Sequence, residues 1–328
     1  MNDQASEKEW RAKARLKKSP TTVSPEARAY LEMMAAMPPT QRPQPDDREG
    51  WLRLIPELEN IFAPRAEAML AAAKSKVEAR QMGGVTVHVA VPPNMDAQAA
   101  KRAYIYIHGG AFVFGGGKWP AANAAAAADA VGCTVYSIDY RMAPMHPFPQ
   151  APEDCVSVYR EVVKHHAPSS TAIGGSSAGG NLALVSALMI RDRRLPQPAA
   201  VVLFTPEVDL TETGDTFQTH EGVDVVLKGG VMDCNLVYAP GRDLREPYLS
   251  PLFAEYTKDF PPVFIQTGTR DIFLSNCALL HRRMLKAGVR AELHVWEAMP
   301  HGGFGGASPE DVDVDNAARA FLERCWTN

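Results

Sequence analysis

The chain has 328 residues, 46% of them hydrophobic and 22% charged, with a formal net charge of −4. Such a length buries a large core in one or two domains, and the balance is that of a globular protein, not a disordered or fibrous one. The small negative charge offers no electrostatic footprint for nucleic acid or an anionic membrane surface, so neither is expected as a partner.

The N-terminal 18 residues are polar and charged, with a basic run from Arg11 to Lys18 that reads as the solvated face of a helix. They contain no apolar signal core, and no run anywhere approaches the ~20 apolar residues that span a bilayer, so a cytoplasmic protein without a membrane partner is expected. The five cysteines (Cys133, Cys155, Cys234, Cys277 and Cys325) are odd in number and widely spaced, which fits reduced thiols better than a disulfide framework.

The first 80 residues are rich in Ala, Glu, Arg and Met. Helices are predicted over 24–37, 51–60 and 63–79, separated by breaks at Pro38-Pro39 and Pro43-Gln44-Pro45. Ser24-Pro25-Glu26 supplies an N-cap followed by proline at the first helical position, and Asp46-Asp47 caps the next helix. From Val85 the rhythm changes. Val85, Val87, Val89 and Val91 alternate with Thr86, His88 and Ala90, the period of a strand with one buried face. Short apolar runs follow at 104–107, 133–138, 171–173, 200–204, 262–266 and 292–296. Helical stretches lie between most of them, at 121–130, 151–166, 178–191, 275–287 and 309–326. Strands alternating with helices predict an α/β fold with a mainly parallel sheet covered on both faces. One interval, 207–260, has neither a clean crossover helix nor a linker composition. It reads as an insertion packed over one end of the sheet.

The strongest chemical signal is Gly175-Ser176-Ser177-Ala178-Gly179, directly after the strand at 171–173 and directly before a helix. This is G-x-S-x-G in its strand–turn–helix context, where small neighbours let a sharp turn hold a nucleophilic hydroxyl clear of the backbone. Upstream, His108-Gly109-Gly110-Ala111 follows another strand and is placed to offer backbone amides to an oxyanion. Neither phosphate-binding glycine pattern is present, despite Gly115-Gly116-Gly117-Lys118 just beyond. His301, after the strand at 292–296, is the candidate base. Asp271, after the strand at 262–266, is the candidate orienting acid. The order Ser, Asp, His places all three beyond the same sheet edge, where parallel α/β proteins assemble their sites. The remaining histidines show no metal-ligand spacing, so no metal and no cofactor are expected; His108 is expected to shape the oxyanion loop, and His220 to sit at the surface.

With these residues in view, the chain from about Val85 onward resembles the hormone-sensitive-lipase-like family of bacterial carboxylesterases. The resemblance rests on His108-Gly109-Gly110-Ala111 and on Asp139-Tyr140-Arg141-Met142-Ala143-Pro144, continuing through His146-Pro147-Phe148-Pro149. It rests also on residues 175–181 and on Gly268-Thr269-Arg270-Asp271. It implies an α/β-hydrolase fold: a mostly parallel eight-stranded sheet flanked by helices, with a helical cap. The implied division is residues 1–80 as the N-terminal part of the cap, 81–206 and 261–328 as the catalytic core, and 207–260 as the cap insertion. Further implications are oxyanion donors at Gly110, Ala111 and Ala178, short- to medium-chain ester substrates, no cofactor, and a homodimer formed through a sheet edge. Two positions depart from the family pattern. Ala111 stands where a third glycine is frequent, and its methyl narrows the acyl side of the site; Ser176 stands where an acidic residue is frequent. A lactone or amide hydrolase would use the same residues, and a binding protein on this scaffold would lack one of them.

Overall fold

The computed structural model describes residues 19–326; the basic run Arg11 to Lys18 lies outside them. Among the described residues eight strands form one sheet in the order β1-β2-β4-β3-β5-β6-β7-β8. These are β1 (Lys76–Met82), β2 (Val85–Val91), β3 (Ala103–Ile107), β4 (Thr134–Asp139), β5 (Thr171–Ser176), β6 (Ala200–Phe204), β7 (Val263–Gly268) and β8 (Ala291–Trp296). β2 runs antiparallel to both its neighbours, and all pairs from β4 to β8 are parallel. The parallel strands are joined by α3 (Trp119–Val131), α4 (Gln150–Val162), α5 (Ala178–Asp192) and α8 (Leu274–Lys286), with α9 (Pro309–Cys325) closing the chain. Ala124, Ala128, Phe321 and Leu322 of α3 and α9 pack on one face of the sheet. Val158, Leu184, Leu188 and Leu280 of α4, α5 and α8 pack on the other. The central helix α5 is buried along almost its whole length, which is why its sequence is apolar all round rather than on one stripe.

The N-terminal region departs from its expected form in two places. Helix α1 (Pro25–Ala36) starts as predicted, with Ser24 Oγ accepting from Ala27 N at 3.1 Å. Asp47 caps α2 through Gly50 N at 2.8 Å. But α2 (Arg48–Ala72) is one continuous helix through Pro56 and Pro64, not two. Each proline forfeits an internal hydrogen bond, and packing holds the line: Trp51 is buried in the main core and Arg65 lies over the Trp119 ring. The helix expected over 63–79 therefore stops at Ala72. Residues 76–82 instead form β1, folded back on β2 by Gly83-Gly84 with Met82 opposite Val85. β1 is exposed at most positions, so it carries no apolar alternation that sequence periodicity would register.

The interval 207–260 contains the short helices α6 (Thr216–Thr219) and α7 (Met232–Tyr238) joined by turns. All five cysteines are unpaired, four of them buried. No helix among the described residues is long and apolar enough to cross a membrane.

Candidate active site

The strand order reverses between β3 and β5: the chain leaves β3 for β4 on one side and returns to β5 on the other. Loops leaving the C-terminal ends of two such strands diverge and open a crevice. The loop after β3 carries His108 to Ala111, and the turn after β5 carries Ser177.

Ser177 has φ 57° and ψ −123°, a conformation that costs a non-glycine residue about 1–3 kcal/mol. The turn is held from both sides. Ser177 N donates to Phe204 O at 2.9 Å, and Ser177 O accepts from Asn181 N at 3.1 Å. The flanking glycines are required by proximity. A Cβ on Gly175 would stand 2.4 Å from Ile107 O, and one on Gly179 only 2.0 Å from the same oxygen.

His301 and Asp271 reach this turn from the loops after β8 and β7. His301 Nε2 lies 2.9 Å from Ser177 Oγ, and His301 Nδ1 lies 3.1 Å from Asp271 Oδ1. Asp271 is fully buried, and its carboxylate also accepts from Thr267 Oγ1 at 2.7 Å and Phe273 N at 3.0 Å. These donors fix the carboxylate plane. With Nδ1–H donating to Asp271, Nε2 is left as acceptor for the serine hydroxyl. The Phe273 ring packs edge-on to the imidazole, 4.8 Å between centroids, and excludes water from that side.

Gly110 (φ 123°) and Ala111 (φ 50°) turn sharply above the serine. Their amides donate to no acceptor among the described residues. Ala178 is the first residue of α5, where an amide has no intrahelical acceptor and sits at the positive end of the helix dipole. His108 is fully buried, stacked on Tyr140 at 4.3 Å, with Nδ1 2.8 Å from Gly109 O. Burial lowers its pKa to about 4, so the ring is neutral and donates to the loop carbonyl. This matches the expected shaping role. His220 is half-buried rather than at the open surface, and its Nε2 lies 3.0 Å from Thr269 O, two residues before Asp271.

Two buried carboxyls beside the site were not singled out in the sequence. Asp224 sits in the apolar patch at 223–227, where a lone acid among valines was the available signal. Its Oδ2 accepts from Ile272 N at 3.0 Å and His301 N at 3.1 Å, and its Oδ1 accepts from Val226 N and Leu227 N. Glu207 follows β6 and is fully buried, with Oε1 accepting from Asn235 Nδ2 at 2.7 Å. Burial raises its pKa to about 8. Nothing in its local sequence marks it.

A family model described as alpha/beta hydrolase fold matches residues 104–304. An acetyl-hydrolase of Streptomyces hygroscopicus is 32% identical over 204 residues, covering 61% of this chain and 67% of that protein. The carboxylesterase NlhH of Mycobacterium tuberculosis is 32% identical over 234 residues, 67% of this chain and 72% of its own length. Among solved structures, an esterase designated E25 superposes with a TM-score of 0.89 at 30% identity, covering 97% of this chain and 99% of that one. An esterase from the bacterial hormone-sensitive lipase family superposes at 0.78 with 30% identity, over 93% and 99%. The eight-stranded sheet, the turn at Ser177 and these matches agree, and the chain belongs to the α/β-hydrolase fold family, in its bacterial hormone-sensitive-lipase branch.

Proposed function

We propose that this chain is a serine carboxylesterase that hydrolyses short- to medium-chain esters through an acyl-enzyme intermediate. The observation that carries the reading is the continuous line Ser177 Oγ–His301 Nε2 and His301 Nδ1–Asp271 Oδ1, assembled at the crevice between β3 and β5. The relatives are named esterases and acetyl-hydrolases, which supports ester bonds as the target.

In this mechanism His301 takes the hydroxyl proton as Ser177 Oγ attacks the ester carbonyl. The carbonyl oxygen becomes an oxyanion held by the amides of Gly110, Ala111 and Ala178, each such donor contributing about 3 kcal/mol at the transition state. His301 then returns the proton to the leaving alcohol oxygen as the C–O bond breaks. A water attacks the acyl-serine by the same route in reverse, releasing the acid and restoring the hydroxyl. Asp271 fixes the imidazole tautomer and stabilises the imidazolium throughout. Helices α1 and α2 and the insertion at 207–260 form the cap over this site; the expected start of the core at residue 81 moves back to 76, because β1 (Lys76–Met82) is an edge strand of the core sheet. The resemblance adds a homodimer through a sheet edge, and the unpaired cysteines support a cytoplasmic location.

The test is hydrolysis of 4-nitrophenyl esters from acetate to decanoate by the wild type and Ser177→Ala. Turnover peaks at short to medium chains, and the variant loses several orders of magnitude in kcat, about 10⁴–10⁶-fold. Retained activity in Ser177→Ala would remove the mechanism, and a folded wild type inert on every ester would favour a ligand-binding role.

A further inference from the structure

We propose that Asp224, carried by the insertion, is a positioning residue for the reaction: its carboxylate clamps the loops of Asp271 and His301 together and sets a buried acid at the backbone of the catalytic base. The proposal rests on the triad reading above.

The geometry is specific. The two loops leave different strands, β7 and β8, and need a link that holds the His301–Asp271 hydrogen bond in register. One oxygen of Asp224 supplies it, accepting Ile272 N at 3.0 Å, the amide next to Asp271, and His301 N at 3.1 Å. The other oxygen takes Val226 N and Leu227 N at 2.9 and 3.1 Å, so the carboxylate is itself fixed by its own turn. Asp224 is completely buried, and its partners here are backbone amides rather than a cation. Four amide donors are what an ionised carboxylate needs once water has been removed, and they favour the charged form. A neutral amide at this place would present two hydrogens to one of the two amide pairs.

The charge acts as well as the clamp. Burial raises the pKa of Asp224; the His301 ring and the amides of Ile272 and Val226 pull it back towards the charged form, and the Asp271 carboxylate adds to the rise. The imidazole meets Asp271 from the loop after β7 and the Ser177 hydroxyl, and the His301 backbone amide meets Asp224 from the insertion. Behind them Tyr30 of α1 faces Asp224, Asp311 and the Arg65 guanidinium of α2. One carboxylate, Asp271, thus meets the imidazole ring, while the other, Asp224 of the insertion, meets the backbone amide that carries it. Catalytic competence is thereby tied to the insertion being docked: the segment that covers the substrate also sets the base.

The experiment compares the wild type, D224N and D224E by kcat, KM and the pH profile of kcat/KM on 4-nitrophenyl butyrate, with folding followed by circular dichroism. Thr216→Val serves as a control. Thr216 Oγ1 donates to Ile272 O at 2.7 Å, so its loss loosens the same insertion against the same loop without removing charge. In D224N, kcat falls about 10–100-fold with KM within about threefold, because transition-state alignment is lost and substrate contacts are not. The acid limb of the profile moves about 0.5–1 pH unit lower as the imidazolium loses one carboxylate. D224E restores the limb but not the full kcat, and Thr216→Val leaves the limb in place. A D224N limb at the wild-type pH, or wild-type kcat, overturns the proposal. So does loss of fold in both Asp224 variants, which would make it a folding residue only. Activity surviving in Ser177→Ala is a separate failure, of the mechanism itself.

Discussion

Glu207→Gln isolates the cost of burying a carboxyl beside the site. Glu207 is fully buried between the end of β6 and α7. Burial raises its pKa to about 8, with Glu212 and Asp209 adding to the rise and the Asn235 hydrogen bond and Arg42 opposing it. Its Oε1 accepts from Asn235 Nδ2, while Glu207 Oε2 and Asn235 Oδ1 have no partner. A protonated carboxyl answers a primary amide with one donor and one acceptor, which suits these two atoms. The folded chain therefore holds a proton that the unfolded chain releases above its ordinary value of 4.5. Because the folded pKa is the higher, the stabilisation is complete below about pH 4.5 and declines as pH rises towards 8. Above pH 8 both states are ionised and the decline levels off.

Between pH 6 and pH 9 the linkage amounts to about 3 kcal/mol, from 1.36 kcal/mol per pH unit. Glutamine keeps the shape and supplies the same donor and acceptor without a proton to lose. For a chain of this length, about 3 kcal/mol is about 4 °C in Tm. Denaturant titrations of both proteins at pH 6 and pH 9 measure the difference directly. The expected result is that Glu207→Gln gains about 3 kcal/mol on the wild type between those pH values. Parallel pH dependences would show that Glu207 is ionised in the folded protein and that the buried acid–amide pair is wrong.

The remaining predictions address the site's geometry. Asp271→Asn preserves the shape of the buried carboxyl but offers a donor to His301 Nδ1, favouring the wrong tautomer; kcat falls about 10³–10⁴-fold in steady-state assays while a serine-directed phosphonate still binds. Gly179→Ala drives a methyl to 2.0 Å from Ile107 O, a backbone atom in the central sheet. It destabilises the fold by about 3 kcal/mol or more, read as a fall in the denaturation midpoint.

Much of the site was legible before any coordinate, for a definite reason. Ser177, Asp271 and His301 each follow a strand with a recognisable apolar run, so the rule that parallel strands present their C-terminal ends to one crevice placed them together. The glycines at Gly175 and Gly179 are likewise sequence-determined, because the close passage of β3 and α5 admits no side chain there. The helix starts at Ser24 and Asp47 were readable because a cap is an interaction over three residues.

What the sequence left open depends on partners distant in the chain. β1 is a mostly exposed segment whose identity comes from the pairing Lys76 with Val91 through Met82 with Val85, a hydrogen-bonded ladder that leaves no apolar pattern. α2 runs through Pro56 and Pro64 because burial of Trp51 and contact with α3 outweigh what the prolines forfeit. Asp224 and Glu207 read as ordinary acids until the insertion folds over the sheet. Only then does one meet amides 48 and 77 residues away, and the other lose all contact with water. Local periodicity and capping are written in neighbouring residues, whereas desolvation and long-range hydrogen bonding exist only once the layers have closed.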